Sequence, residues 1–472
     1  MPVNEKVAKA LGYVDEKYVT DAAKRKKKKA AKYWISAVAA VLALVLLFNI
    51  PGMPMVISAK AVSIASGSRR TQCPDWSDYK DRDEWLADLE KWQEEQKHQA
   101  DTTKDALSGL EHFFTAGSAK FLSTQDSNNL LWSPVNAYIG LAMVAELTSG
   151  ESCQQILDLF GTSDIDELRQ QVGAIWERTY NDNGHEISTL ANSLWLENGL
   201  NYGQDTMDNI AYYYYASVYQ GDLGSQKINN AIGAWINNNT GGFLKHASKN
   251  INLSPETILA LYSTIYFQSK WQDQFAMKNN TEDVFHTPNG DKTVTFMNKK
   301  LAQMHYYYGD KFSAVALGLK NGSLMWFILP DEGYTTADVL ADGQYMQMVL
   351  QQDWENEKWM KVNLSVPKFD VNSTTPLKDG LQEMGVTDVF NEGAANFSEI
   401  TGDVPIYLTA ANQSVRVQID EEGVKAAAYI EFPGATSPMP PEEIIDFVLD
   451  RPFIFAITTE NIPLFMGTVN NP

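Results

Sequence analysis

The residues most able to move protons or bind metals are scattered. His98, His112, His185, His246, His286 and His305 fall at no ligand spacing, and His185-Glu186 lacks the second histidine of a zinc helix. Asp78, Asp81 and Asp83 lack the spacing and loop glycine of a calcium site. There is no Gly-x-Ser-x-Gly elbow, no Cys-x-x-Cys pair and no phosphate-cradling glycine loop. No catalytic activity, metal or cofactor is expected. One segment near the C-terminus instead has the makings of a substrate.

Residues 421–443 read EEGVKAAAYIEFPGATSPMPPEE. Laid out as a strand, Val424, Ala426, Ala428, Ile430 and Phe432 share one apolar face, and Lys425, Ala427, Tyr429 and Glu431 the other. The small side chains at 426–428 would pass between existing strands without clashes. Gly423 supplies a hinge free of side-chain restriction. The proline- and glycine-rich PGATSPMPP that follows is expected to be an exposed loop open to proteolysis. The segment alone leaves two readings open: an ordinary strand and loop, or a chain with two states.

The elements that must hold such a segment are those of a large α+β domain. Leu107, Leu110, Phe114 and Phe121 mark one face of an opening helix. Asn321-Gly322 between two apolar runs predicts a hairpin. Val362, Leu364 and Val366 alternate with polar residues, as do Val415, Val417 and Ile419, which predicts half-buried strands. FIFAI and LFMGTV near the end suit strands buried on both faces. Helices early, strands late and no repeat fit one domain from about residue 102 to 472.

Before it lie three further segments. Residues 1–32 are basic and include a short amphipathic stretch at 4–23; residues 33–50, YWISAVAAVLALVLLFNI, carry no charge over eighteen positions. That is long enough to cross a bilayer, and KRKKKKAAK before it would keep the N-terminus in the cytoplasm. A cleaved secretory signal, cut near Ala59-Lys60-Ala61, is the other reading. Residues 51–101 form a linker, first of small residues, then an acidic helix with Trp85, Leu86, Leu89 and Trp92 at helical spacing. The formal charge of −21 hides a contrast: residues 1–50 hold ten Lys/Arg and four Asp/Glu, leaving −27 for the rest. So acidic a body argues against nucleic-acid binding. With only Cys73 and Cys153, no disulfide framework supports the fold.

Blocks along the main domain resemble the serpin family, in order: NLLWSPV at 129–135, TLANSLWLENGL at 189–200, WINNNTGG at 235–242 and IYFQSKW at 265–271. LSVPKFDV at 364–371, LKDGLQEMGVTDVF at 377–390, the run from Asp420 to Ala428, and DRPF with LFMG near the end complete the set. The whole is similar to a prokaryotic-type serpin with an N-terminal membrane anchor. The resemblance implies a serpin fold: a large central, mainly antiparallel sheet, additional sheets, eight or nine helices and an exposed reactive loop. It implies a monomeric suicide inhibitor outside the cell membrane, trapping a serine protease covalently. The hinge would be Glu421, Glu422, Gly423, Val424, Lys425, Ala426, Ala427 and Ala428; the sheet-opening region would hold Ser133, Asn136, Trp271 and Gln413. Val424 replaces the usual Thr or Ser, Asn136 a serine and Gln413 a frequent histidine. Family spacing puts the reactive bond at Ser437–Pro438, but a proline after the cut suits few serine proteases. Thr436–Ser437 is preferred, with Ala435–Thr436 in reserve. Each puts a small residue before the cut, pointing to an elastase-like target. A non-inhibitory serpin acting as a binding or structural module is the rival reading.

Overall fold

In the computed structural model, the residues described are 62–66, 79, 81–91, 110–123, 128–182, 186–249, 251–350, 354–402, 404–424 and 443–472. All lie in the second of two contact units, Val56–Pro472. The expected membrane span at 33–50 lies outside the described residues. Among those described, no helix is long and apolar enough to cross a membrane.

From residue 110 onward ten α-helices are described: α1 (Leu110–Leu122), α2 (Pro134–Glu146), α3 (Glu151–Phe160), α4 (Ile165–Thr179), α5 (Gln204–Tyr213), α6 (Gln226–Asn239), α7 (Lys245–Ser248), α8 (Thr336–Asp342), α9 (Gln344–Leu350) and α10 (Lys378–Glu383). Eight or nine were expected. The last four run seven residues or fewer, too short to give a helical period. Residues 82–91 form a largely exposed helix, as the acidic run predicts.

One sheet runs β1 (Val62–Ser66), β5 (Ala216–Gly221), β4 (Ile187–Glu197), β6 (Leu259–Lys270), β14 (Gly423–Val424), with β3 (Asn181–Asp182) on β4. β1 departs from expectation. The small-residue stretch read as linker pairs antiparallel with β5 and covers that sheet's edge.

A nine-stranded sheet runs β15 (Ile444–Val448), β11 (Glu357–Pro367), β8 (Gly290–Tyr308), β9 (Phe312–Gly318), β10 (Leu324–Pro330), β16 (Phe453–Thr459), β17 (Ile462–Val469), β2 (Leu130–Trp132), with β7 (Thr281–Thr287) on β8. Pairing is antiparallel except for β4–β5 and β11–β15. β16 and β17 are buried at every position, as continuous apolar runs require. The β9–β10 hairpin turns at Gly322, φ 85°, where the Asn-Gly pair predicts it.

A third, two-stranded piece pairs β12 (Phe369–Pro376) with β13 (Asn412–Ile419). The expected single central sheet is therefore divided. Among the described residues no ladder joins β6 to β13.

Candidate functional site: a slot between two strands

The site is assembled at the start of α2. Ser133 caps the helix: its Oγ accepts from the Asn136 N–H, and Pro134 takes the first helical position, where no donor is needed. Ser133 is fully buried, and its Oγ also donates to the Leu464 carbonyl of β17 at 2.6 Å, which fixes the helix on the core.

From that anchor α2 reaches both sides of the divided sheet. On β13, Gln413 Oε1 accepts from the Ser133 N–H at 2.7 Å and its Nε2 donates to the Ser133 carbonyl at 2.9 Å. Toward β6, Asn136 Nδ2 donates to the Ser263 carbonyl at 3.1 Å. The two substituted polar positions thus hold the two strands by side chains, where a continuous sheet would use a backbone ladder.

Between the strands lies a slot lined by Asn136, Thr264, Ile265, Phe267, Val415, Val417 and Phe465 among others, with free space of only about 30 Å³. One or two waters fit, and no ligand does. Phe243, past the end of α6, lies on the slot wall. Its ring is 6.5 Å from that of Tyr266 on β6, and the Arg416 guanidinium of β13 sits 4.5 Å over it. Arg416 is steered there by a bidentate pair with Asp370.

The hinge closes one end of the slot. After β13, Asp420 Oδ1 accepts from the N–H groups of Glu422 and Gly423, and the Asp420 N–H donates to the Gly423 carbonyl, so the chain reverses within four residues. Buried Trp271 holds the turn from the other side: its indole donates to the Asp420 carbonyl at 2.8 Å and its backbone N–H to that of Glu422 at 3.1 Å. Glu421 is 5% exposed, paired with Lys368 and bonded by the Asn280 amide. Burial pushes its carboxyl up, but Lys368, Asn280 and a backbone donor together hold it below the usual range.

Past the turn, Gly423 pairs with Lys270 and Val424 with Ser269, antiparallel. Gly423 has φ 148°, and a Cβ there would lie 2.4 Å from the Lys270 Cα, so only glycine fits. Val424 is buried and lines the slot.

Ser133, Asn136, Trp271, Gln413 and Glu421 to Val424 are thus brought to one slot and its mouth. Lys425, Ala426, Ala427, Ala428, Thr436, Ser437 and Pro438 lie outside the described residues. Sequence reasoning missed Lys368, Asn280, Phe243 and Arg416; their contacts bridge distant parts of the chain and leave no local pattern.

A family model described as "Serpin (serine protease inhibitor)" matches residues 111–472. The chain belongs to the serpin family. The match starts one residue into α1, nine past the boundary expected at 102. The family is one of serine protease inhibitors in general, not of catalysts. Among relatives, Alpha-1-antiproteinase F of Cavia porcellus is 29% identical over 377 residues, 77% of this chain and 90% of that one. Alpha-1-antitrypsin of Meriones unguiculatus is 26% identical over 376 residues, 76% of this chain and 88% of its own. Native tengpin, a thermophilic serpin, superposes with a TM-score of 0.67 at 25% identity, covering 78% of this chain and 94% of its own. Thyroxine-binding globulin in complex with thyroxine, at 20% identity, TM-score 0.63 and coverages of 77% and 99%, shares the fold. None of these matches supports the prokaryotic-type assignment or the anchor.

Two outcomes test the slot. Gln413→Ala strands the buried N–H of Ser133 and leaves its carbonyl with the Ala137 N–H alone, so unfolding stability should fall by about 1–3 kcal/mol in denaturant titration. Glu421→Gln should lower the melting temperature at neutral pH, where the paired carboxylate stabilises the fold. Because the folded carboxyl titrates below its unfolded value, that stabilisation is lost as pH falls through the folded value. Wild type and variant should therefore converge below the usual carboxylate range.

Proposed function

We propose that this serpin is a suicide-substrate inhibitor of serine proteases that works by strand insertion. The observation that carries the reading is β14: the hinge already starts a strand against β6 at the mouth of a slot that has no ladder across it.

Continuing that register sets Ala426 opposite Phe267, Ala428 opposite Ile265, Ile430 opposite Ser263 and Phe432 opposite Leu261. Directly opposed residues share a face. The apolar set would thus enter on the side where Ile265, Phe267 and Ser269 are buried. Attack by the protease serine on the carbonyl of Thr436 would form the acyl-enzyme and release the amine of Ser437. The freed segment then extends β14 toward the far end of the slot, carrying the protease with it before water completes hydrolysis. Burial of Ile430 and Phe432 would contribute about 1.5–3 kcal/mol each, in addition to new backbone hydrogen bonds. Pro433 removes one of those bonds.

Thr436–Ser437 remains the preferred bond, with Ser437–Pro438 and Ala435–Thr436 beside it, and a small-pocket, elastase-like protease the target. Residues 33–50 are proposed to anchor the chain, a monomer, with the inhibitor outside the cell. The Ala426–Ala428 run weighs against the non-inhibitory rival, whose hinges carry bulky or charged residues.

Incubation with pancreatic elastase followed by denaturing electrophoresis tests the mechanism. Wild type and Ala427→Arg should form a covalent band, because position 427 faces outward. Ala426→Arg and Ala428→Arg should be cleaved without trapping, because each would bury an unpaired charge. Equal trapping by all three variants would sink the facing, and no band for wild type would sink the mechanism.

Topology is tested by protease shaving of intact cells with blotting for the main domain. Loss of the domain signal supports the anchor. An inhibitor found in the medium starting near Val62 would establish the cleaved signal instead, and one protected inside the cell would refute the orientation.

A further inference from the structure

The strand that follows the reactive loop carries an unexpected surface. Ile444, the first residue of β15, is 62% exposed. It pairs with Lys361 of β11, and the Lys361 N–H donates to the Glu443 carbonyl, so the chain leaving the loop is fixed on the sheet. Two residues back on β11, Trp359 is 44% exposed, a rare position for a tryptophan. Met360 and Val362 point inward, which puts Trp359, Lys361 and Ile444 on one outer face.

Trp359 is not loosely placed. It pairs across the sheet with His305, whose ring meets it edge-on at 4.3 Å. His305 is held in turn by Glu357, Nδ1 to Oε2 2.9 Å, and stacks on Tyr307. Such a pre-oriented aromatic costs little side-chain entropy to bury against a partner, and tryptophans of this kind dominate interface energies. The other side of the loop also exposes an apolar residue. Met277 is 68% exposed, three residues from the Asn280 that holds Glu421.

We propose that Trp359 and Ile444 form a docking surface for the protease that attacks the loop, meeting an apolar patch beside the leaving-group side of its cleft. The inference rests on the inhibitor reading and names how the same partner is engaged. Ile444 comes seven positions after Ser437, so it stands within about 25 Å of the cleavage point at full chain extension. A protease–inhibitor contact normally buries roughly 800 Å² per partner and involves about 20–30 residues a side. A loop of this length cannot supply that alone, so a bound protease must rest on the surface where the loop rejoins the sheet. The contact acts before acylation, so it governs encounter and not insertion.

The test compares wild type with the Trp359→Ser, Ile444→Ser double variant against pancreatic elastase. Tyr334→Ser, which removes an aromatic exposed elsewhere, is the control. The double variant should lose about tenfold in association rate constant, equally at low and high salt, with stoichiometry of inhibition and melting temperature unchanged. The control should match wild type. An unchanged rate, while wild type still forms the covalent complex, overturns the docking surface and leaves the inhibitor reading standing. A raised stoichiometry at unchanged rate places the pair in insertion and also overturns it. Wild-type dimers that the double variant abolishes in sedimentation would assign the surface to a second copy. No complex with wild type would remove the inhibitor reading and this inference with it.

Discussion

Two strand edges that face each other without pairing set the terms for the rest of this fold. β6 and β13 belong to what would be one sheet, and a sheet interior normally satisfies every backbone N–H and carbonyl through its ladder. Here Asn136 on α2 does part of that work for the Ser263 carbonyl of β6, and the Gln413 side chain on β13 bonds the Ser133 backbone at the start of α2, three hydrogen bonds in all. Each contributes about 0.5–1.5 kcal/mol net. A full strand between the same edges would add a bond at nearly every residue and bury apolar surface besides. On the insertion mechanism proposed above, the intact fold would persist because the path to the better state is slow, which is kinetic stability.

In the proposed mechanism the hinge decides which strand would fill the gap, and from which end. The Asp420 turn delivers Gly423 against Lys270 at a separation no side chain tolerates, so the register is fixed before any loop residue enters. A slip of one residue would put Lys425 and Tyr429 on the buried face and Ala426 and Ile430 outside. The Lys368–Glu421 pair and the Trp271 indole therefore do more than stabilise a turn. They fix Gly423 and Val424 in register against β6, from which the proposed insertion would start.

Much of this was legible. Alternation at Val362–Val366 and Val415–Ile419 gave the strands and their buried faces, and the unbroken apolar runs gave β16 and β17, because side-chain period follows directly from backbone geometry. Gly423 stood out as a hinge because glycine marks a backbone that side chains cannot follow. The slot left no local pattern, because it consists of an absent ladder; its lock, which joins Ser133 to Gln413 across 280 positions, was named only through the family resemblance. β1 was missed for a different reason: a five-residue strand is too short to imprint a period. Lys368 sits at a strand junction where nothing local asks for a charge; only the buried Glu421 carboxylate does.

The outer edges of the divided sheet explain why the gap in the middle matters. β1 covers β5 on one side, and on the other β12 is tied to β2, with Ser373 and Thr375 bonded to Leu131. Among the described residues, the slot is where two strand edges of this sheet face each other next to the chain's own hinge. The sparse cysteine content fits the same requirement. A crosslink from the β4–β6 half to the β12–β13 half would stiffen the intact fold, but it would hold the slot at its present width and exclude an incoming strand. Among the described residues Cys153 is a free thiol on α3, away from that boundary. If the proposed insertion occurs, stability has to come from packing that can let two strands part, and the large buried aliphatic and aromatic core would supply it without a crosslink between them.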